Sequence, residues 1–216
     1  MKLYYDPAST VCRPILLFLA DHDLPVELIH VDLAKQENRA GWYLEINPNG
    51  MVPALVDGGF SLTESATILR YFADLAGAAA YPAEARARAK VDEALDWFNT
   101  SFYRDHGYGL VYPQILPHYA VLGGADRLAF HAERAAARLD VLDRHMIGDR
   151  PFVAGDSLSI ADYFGAGLVT MGDMIGYDLL PYPNVRRWLA TMAVRPGWDQ
   201  ANAAFHGWRS AVRAAA

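Results

Sequence analysis

The chain has 216 residues, 53% hydrophobic and 20% charged, with 19 Lys and Arg against 25 Asp and Glu for a formal charge of −6. These figures exclude wholesale disorder, and an acidic chain without a basic block is a poor nucleic-acid binder. The single cysteine, Cys12, excludes an intramolecular disulfide and a multi-cysteine zinc site, fits a reducing compartment and, with no close pair among the seven histidines, predicts no metal.

The opening Met1-Lys2-Leu3-Tyr4-Tyr5-Asp6 carries no apolar run after its lysine, so no signal peptide is predicted. No apolar stretch is long enough to span a membrane, and the expected location is cytoplasmic. Residues 2–5 read as a strand and 12–23 as a helix with Ile15, Leu16 and Leu19 on one face. Residues 26–31 read as a second strand, and 34–46 as a loop with an irregular helical turn. Residues 53–56 and 60–62 are short strands joined by Asp57-Gly58-Gly59, a hairpin signal. Residues 65–76 form a helix with Ile68, Leu69, Phe72 and Leu75 as its buried stripe.

The small-residue stretch 77–83 is the predicted linker between an α/β domain, 1–76, and an all-helical domain, 84–216. In the second domain a long helix runs from 83 to about 110, and Pro113 and Pro117 interrupt the pattern after it. Residues 125–146 carry Leu128, Ala132, Ala135, Leu139, Leu142 and Met146 as one seam. Helices over 159–177, 184–194 and 198–212 complete the set.

Four motifs bear on chemistry. Ser9 and Thr10 lie in the turn entering the first helix, where free N–H groups and the helix dipole favour an anion, although capping is the common use of such residues. Cys12 belongs to the apolar run of that helix and reads as a buried, inert thiol. Asn47-Pro48-Asn49-Gly50-Met51-Val52-Pro53 places a proline directly before a strand, a candidate cis bond. In a thioredoxin-like sheet such a bond leaves the N–H and C=O of Val52 free to pair with a peptide-like ligand. Glu64-Ser65 opens a helix with a carboxylate for an ammonium group and a hydroxyl and N–H for a carboxylate. Ser159 and Asp162 have the spacing of a capping box and read as structural.

These motifs together resemble the cytosolic glutathione S-transferase family. The resemblance covers essentially the whole chain through residues 9–13, 47–55, 64–65 and 155–162, and is nearest to the theta/delta-like serine type, with some features of the bacterial beta class. It implies an N-terminal thioredoxin-like domain followed by an all-helical domain, a homodimer, and glutathione as co-substrate. It ranks Ser9 first as the hydroxyl that activates the thiol, Thr10 second and Tyr5 third. It assigns glutathione binding to Asn38, Met51, Val52, Pro53, Glu64, Ser65 and Asn99, with Asn99 reaching toward a partner subunit. The electrophile site falls to Phe102, Tyr103 and His106, within the aromatic run Phe98, Phe102, Tyr103, Tyr108 and Tyr112. A histidine at position 38 and basic residues at or beside positions 50 and 51, common in the serine type, are replaced here by Asn38, Gly50 and Met51; Asn38 can still donate, and Arg39 and Trp42 are candidates for a compensating donor. The function implied is addition of the glutathione thiolate to a small hydrophobic electrophile, in detoxification. The alternative is a related binding or structural protein with little catalysis.

Overall fold

The computed structural model describes residues 1–120 and 124–215. Four short strands, β1 (Lys2–Tyr5), β2 (Glu27–His30), β3 (Ala54–Asp57) and β4 (Phe60–Thr63), form one sheet in the order β2-β1-β3-β4. β1 and β2 are parallel, so α1 (Arg13–Asp21) makes the crossover between them. β3 runs antiparallel to both β1 and β4, with Leu3 opposite Leu55 and Leu55 opposite Leu62. Alternation sends Leu3 and Leu55 to one face, where Ile15 and Phe18 of α1 and Ile68, Leu69 and Phe72 of α3 (Ser65–Leu75) enclose them. Leu75, expected on that stripe, is 48% exposed because α3 ends there, beyond the edge of the packed layer. The segment between β2 and β3 is a 3₁₀ turn at Glu37–Arg39 followed by the one-turn helix α2 (Gly41–Leu44), as the irregular pattern predicts.

After α3 the described residues form helices joined by turns and loops, with one isolated bridge between Phe152 and Gly155. α4 (Ala85–Trp97) is capped by the Glu84 carboxylate, which accepts from the N–H groups of Arg86 and Ala87. It continues without a break as a wide π-helical stretch over Phe98–Val111 and then as α5 (Tyr112–Ile115). The expected interruption at Pro113 is therefore displaced to Leu116, whose backbone is extended. Widening explains this: the Tyr112 N–H reaches back to the Gly107 carbonyl, and Pro113 occupies the first turn of the new register, where its missing N–H is not needed. α6 (Pro117–Ala120) and α7 (Ala125–Val141) follow, and α7 extends as a π-helical turn over Leu142–Ile147.

α8 (Ile160–Val169) is buried along its whole length. The Ser159–Asp162 capping box forms as expected, and the Asp162 carboxylate also accepts from the Val153 N–H and the Trp188 indole, both at 2.9 Å. α9 (Pro183–Ala193) and α10 (Trp198–Ala215) close the bundle.

α1 is buried on more of its circumference than its expected single face. Its other side packs on α8 and α10, so Leu17, Arg13 and Pro14 are buried as well. The approach to α8 is close: a Cβ on Gly167 would lie 2.7 Å from Pro14 Cγ. The sheet layer and the helical layer thus share α1, which starts at the turn carrying Ser9.

Candidate functional site

The C-terminal ends of β1, β2 and β4 and the start of β3 all lie at one end of the sheet. Three loops meet there: residues 6–12 after β1, 47–53 before β3, and the junction of β4 with α3. All the sequence-predicted groups of the first 76 residues except Asn38, Arg39 and Trp42 lie on these loops or, for Tyr5, at the strand end leading into the first.

In the first loop, the Ser9 carbonyl accepts from the N–H groups of Cys12 and Arg13, both at 3.1 Å, and starts α1. The N-cap position itself falls to Cys12, with no side-chain cap bond. Neither the Ser9 nor the Thr10 hydroxyl caps the helix, so the common structural use of these residues does not apply here. Ser9 is half-buried, with its hydroxyl beside the Cys12 thiol. Thr10 is buried, and its Oγ1 accepts from the Tyr112 hydroxyl at 3.3 Å. Cys12 is fully enclosed, and burial pushes its thiol up to about 12. A thiol of that kind is inert at neutral pH, as its place in an apolar run predicts. Tyr5 is half-buried, and burial raises its phenol above the ordinary value.

The second loop is built around Asn47, whose Oδ1 accepts from the Asn49 N–H at 3.1 Å while its Nδ2 donates to the Met51 carbonyl at 2.7 Å. The Tyr43 hydroxyl donates to the same carbonyl at 2.6 Å, and Gly50 supplies the left-handed turn at φ 60°. These bonds fix the chain up to the Val52–Pro53 peptide, which is cis as expected. The N–H and C=O of Val52 have no hydrogen-bond partner among the described residues, though the side chain is buried. Met51 is exposed, and its carbonyl is held twice by its own loop. Asn38 donates Nδ2 to the Gly50 carbonyl at 2.7 Å, so one amide hydrogen serves the loop. Arg39 lies against Gly50, where a Cβ would stand 2.8 Å from its Nη1.

At the third junction Glu64 takes φ 66°, ψ 114°, a conformation that a residue with a Cβ rarely adopts. Its side chain makes no cap bond, and it is exposed at the cleft, where its charge acts on the Tyr108 phenol. Ser65 follows at the first position of α3. It is buried, and among the described residues its hydroxyl has no partner.

The helical layer faces these loops with tyrosines. Tyr103 and Tyr112 share a hydrogen bond of 2.6 Å, and the rings of Tyr108, Tyr112 and Tyr119 lie 5.2–5.7 Å apart. Burial raises all four phenols, so each is a neutral hydrogen-bond donor near pH 7. Tyr119 was not among the sequence candidates; the available signal was the recurrence of tyrosine at 103, 108, 112 and 119.

Two expected cleft residues are elsewhere. Phe102 is fully buried in the helical core, and His106 is 1% exposed, stacked on Phe102 at 4.8 Å and edge-on to Tyr177 at 5.3 Å. Phe98 is likewise a core residue. The π-helical stretch causes the difference: it advances the helix face more slowly per residue, so spacing counted at 3.6 residues per turn assigns the wrong side. Tyr103 does belong to the tyrosine group. Asn99 is exposed on the same helix. Among the described residues, no group of three or more His, Cys, Asp or Glu is placed to hold a metal ion.

Comparison with known proteins bears on this arrangement. Residues 3–80 match the family model described as the glutathione S-transferase N-terminal domain, and residues 125–196 match the C-terminal domain of the same family. Human glutathione S-transferase theta-2 is 30% identical over 191 residues, covering 87% of this chain and 78% of the relative. The structure of a delta-class glutathione transferase from Nilaparvata lugens superposes with a TM-score of 0.86 at 29% identity, covering 98% of this chain and 99% of that one. Human theta-2, solved in complex with glutathione, gives a TM-score of 0.88 at 26% identity, covering 99% of this chain and 90% of that one. The thioredoxin-like sheet layer, the helical layer and these likenesses agree: the chain belongs to the glutathione S-transferase family.

Proposed function

We propose that this protein adds the thiolate of glutathione to a small hydrophobic electrophile. The observation that carries the reading is the meeting, at one end of the sheet, of polar groups with no partner among the described residues: the Val52 backbone, the Ser65 hydroxyl and the Glu64 carboxylate. A tripeptide fits that set. Its extended middle pairs with the N–H and C=O of Val52, Glu64 holds the ammonium of the γ-glutamyl end, and Ser65 donates to that end's carboxylate. The thiol then falls to the Ser9 turn. One charge-assisted hydrogen bond from Ser9, worth about 1.5–3 kcal/mol, supplies much of the ~2.7 kcal/mol needed to lower a thiol pKa by about two units. The thiol proton passes to solvent, the thiolate attacks the electrophile, and as the C–S bond forms the displaced electron pair departs with a leaving group or, in an addition, stays on the acceptor, which then takes up a proton.

The glycine carboxylate falls to Arg39. Residues 1–76 contain five lysines and arginines. Lys2 pairs with Glu27, Lys35 with Asp32, and Arg70 with Asp92 and Asp96, while Arg13 is buried. Arg39 is exposed, without an ion pair among the described residues, and lies beside the Val52 loop. Met51, Pro53 and Asn38 shape that loop, and Asn99 extends toward the site of a partner subunit. Tyr103, Tyr108, Tyr112 and Tyr119 line the electrophile site with apolar faces and neutral donors.

The rest of the reading follows the family: a division into 1–76 and 84–216 about a linker, a homodimer in the cytoplasm, detoxification of electrophiles, and no metal. Among the described residues no helix is long and apolar enough to cross a membrane. The half-buried turn carrying the Ser9 hydroxyl supports a serine-type reading. A competing reading, a binding protein with little catalysis, draws support from the engagement of Asn38 with Gly50. Calorimetric titration with glutathione tests the site. Ser65→Ala should weaken binding by about 1–3 kcal/mol; an unchanged dissociation constant would move the site elsewhere.

A further inference from the structure

Arg13 is 2% exposed, and among the described residues no carboxylate is within ion-pair distance of it. Its Nη1 donates to Asn202 Oδ1 at 2.5 Å and to Thr170 Oγ1 at 3.3 Å, and its Nη2 donates to the Gly167 carbonyl at 2.7 Å. All three acceptors are neutral. The guanidinium lies 3.7 Å from the centre of the Phe205 ring, and Nε has no hydrogen-bond partner among the described residues. Burial lowers Arg13 to about 10, which leaves it fully charged at neutral pH. An enclosed cation normally has a counter-ion, because burying a lone charge is costly. The carboxylate that acts on it through space, Asp173, is itself 3.5 Å from Arg209. The other titratable groups facing Arg13 are Tyr103 and Tyr112 from the long helix and His206 from α10. None is an anion at neutral pH: burial raises the phenols and lowers the imidazole.

The position of this charge matters more than its cost. Arg13 is the first residue of α1, and its N–H donates to the Ser9 carbonyl. Gly167 accepts from the guanidinium and also sits against the Thr10 carbonyl, 3.3 Å from where its Cβ would be. The cation also acts on the Tyr112 hydroxyl, which bonds Thr10 Oγ1. It therefore lies behind the Ser9–Thr10 turn, on the side of the helical layer.

We infer that Arg13 is a positioning residue for the proposed transfer: its buried, uncompensated guanidinium sets a fixed positive charge behind the Ser9–Thr10 turn and favours thiolate over thiol at a sulfur bound to Ser9. The inference rests on the glutathione reading above. It adds a long-range source of thiolate stabilisation to the hydrogen bond from Ser9 and the dipole of α1. A merely structural Arg13 would cross-link α1 to α8 and α10 and have no effect on the sulfur.

The two roles separate when the charge is neutralised in place. Asn202→Asp keeps the contact with Nη1 and adds a carboxylate beside it, at the expense of the Nδ2 bond to the Trp198 carbonyl. The measurement is ultraviolet titration of the thiolate of glutathione bound to the protein, alongside calorimetry of glutathione binding. Asn202→Asp should raise the bound thiol pKa by about one unit and lower the rate roughly threefold at neutral pH, with little change in glutathione affinity. Arg13→Gln, which removes the charge but keeps an amide donor, should shift the thiol the same way. Arg13→Lys, which keeps the charge and loses the fork, should titrate near the wild type even where it unfolds sooner. Glutathione binding with an unshifted thiol in Asn202→Asp and Arg13→Gln would overturn this inference alone. Failure of the wild type to bind glutathione would overturn the reading beneath it as well.

Discussion

His106 is enclosed between Phe102 and Tyr177, with the Val169 carbonyl as the polar group acting on its ring. Burial holds the imidazole down at about 4, with only a small opposing effect from the Val169 carbonyl. The unfolded chain therefore binds a proton near pH 6.5 that the folded chain refuses until about pH 4. Stability from this group is complete above pH 6.5, falls as pH drops through that interval and is level below it, a loss of about 3 kcal/mol. His106→Leu should flatten the acid slope of stability, read from urea midpoints at pH 7 and pH 4.5. An unchanged slope would mean that the ring is hydrated or paired. Its position was misread from sequence, because a polar ring on a helix near aromatic residues looks like a cleft residue when the π-helical stretch goes unrecognised. Ser9, Val52 and Ser65 were legible for the opposite reason. Each stands at a junction of strand and helix or loop and strand, where turn chemistry fixes the register locally. The role proposed for Arg39 is readable from sequence only as one of two candidates, because choosing it depends on which other cations are already paired.

At the scale of elements, the strands follow from short β-rich runs and the hairpin from the Asp57-Gly58-Gly59 turn. Long-range packing was less visible. Nothing local in residues 12–23 says that α1 meets a second layer, so Arg13 and Pro14 did not stand out as buried. Gly167 is where α8 admits α1, and a methyl group there must displace Pro14 or the Thr10 carbonyl. Gly167→Ala should cost about 1–3 kcal/mol of stability by overpacking and disturb the Ser9 turn with it. Thermal denaturation compared with glutathione affinity would reveal both effects. Full stability with full affinity would mean that the two layers slide apart freely. The fully buried Asp105 makes the corresponding link between the long helix and α7, accepting from Arg104, Arg134 and Arg138. Those guanidiniums hold its carboxyl well below the ordinary value despite the opposing effect of burial.

For the whole molecule, the sheet and helical layers are bound through α1 by polar as well as apolar contacts. The Asp21 carboxylate accepts from Tyr163 at 2.6 Å and from Arg195 at 2.7 Å, and the Ile160 N–H donates to the Ala80 carbonyl at 2.9 Å. The two layers should unfold together, so that the near-ultraviolet signal and far-ultraviolet helicity vanish at one denaturant midpoint; separate midpoints would contradict it. On the sheet side Phe60 and Leu75 remain about half exposed beside the outer face of α3. A homodimer that covers them should appear in sedimentation at micromolar concentration; a purely monomeric species would contradict the expected assembly.

The central claim is that a hydroxyl at the Ser9 turn stabilises a glutathione thiolate for transfer. The most direct measurement is the pH dependence of the rate of conjugation to an aromatic electrophile in the wild type and in Ser9→Ala. The expected result is a rate roughly tenfold to a hundredfold lower in Ser9→Ala at neutral pH, with a deficit that shrinks at high pH, where the thiol ionises unaided. Thr10→Val and Tyr5→Phe should lose less. A Ser9→Ala protein as active as the wild type across the whole range would contradict the claim.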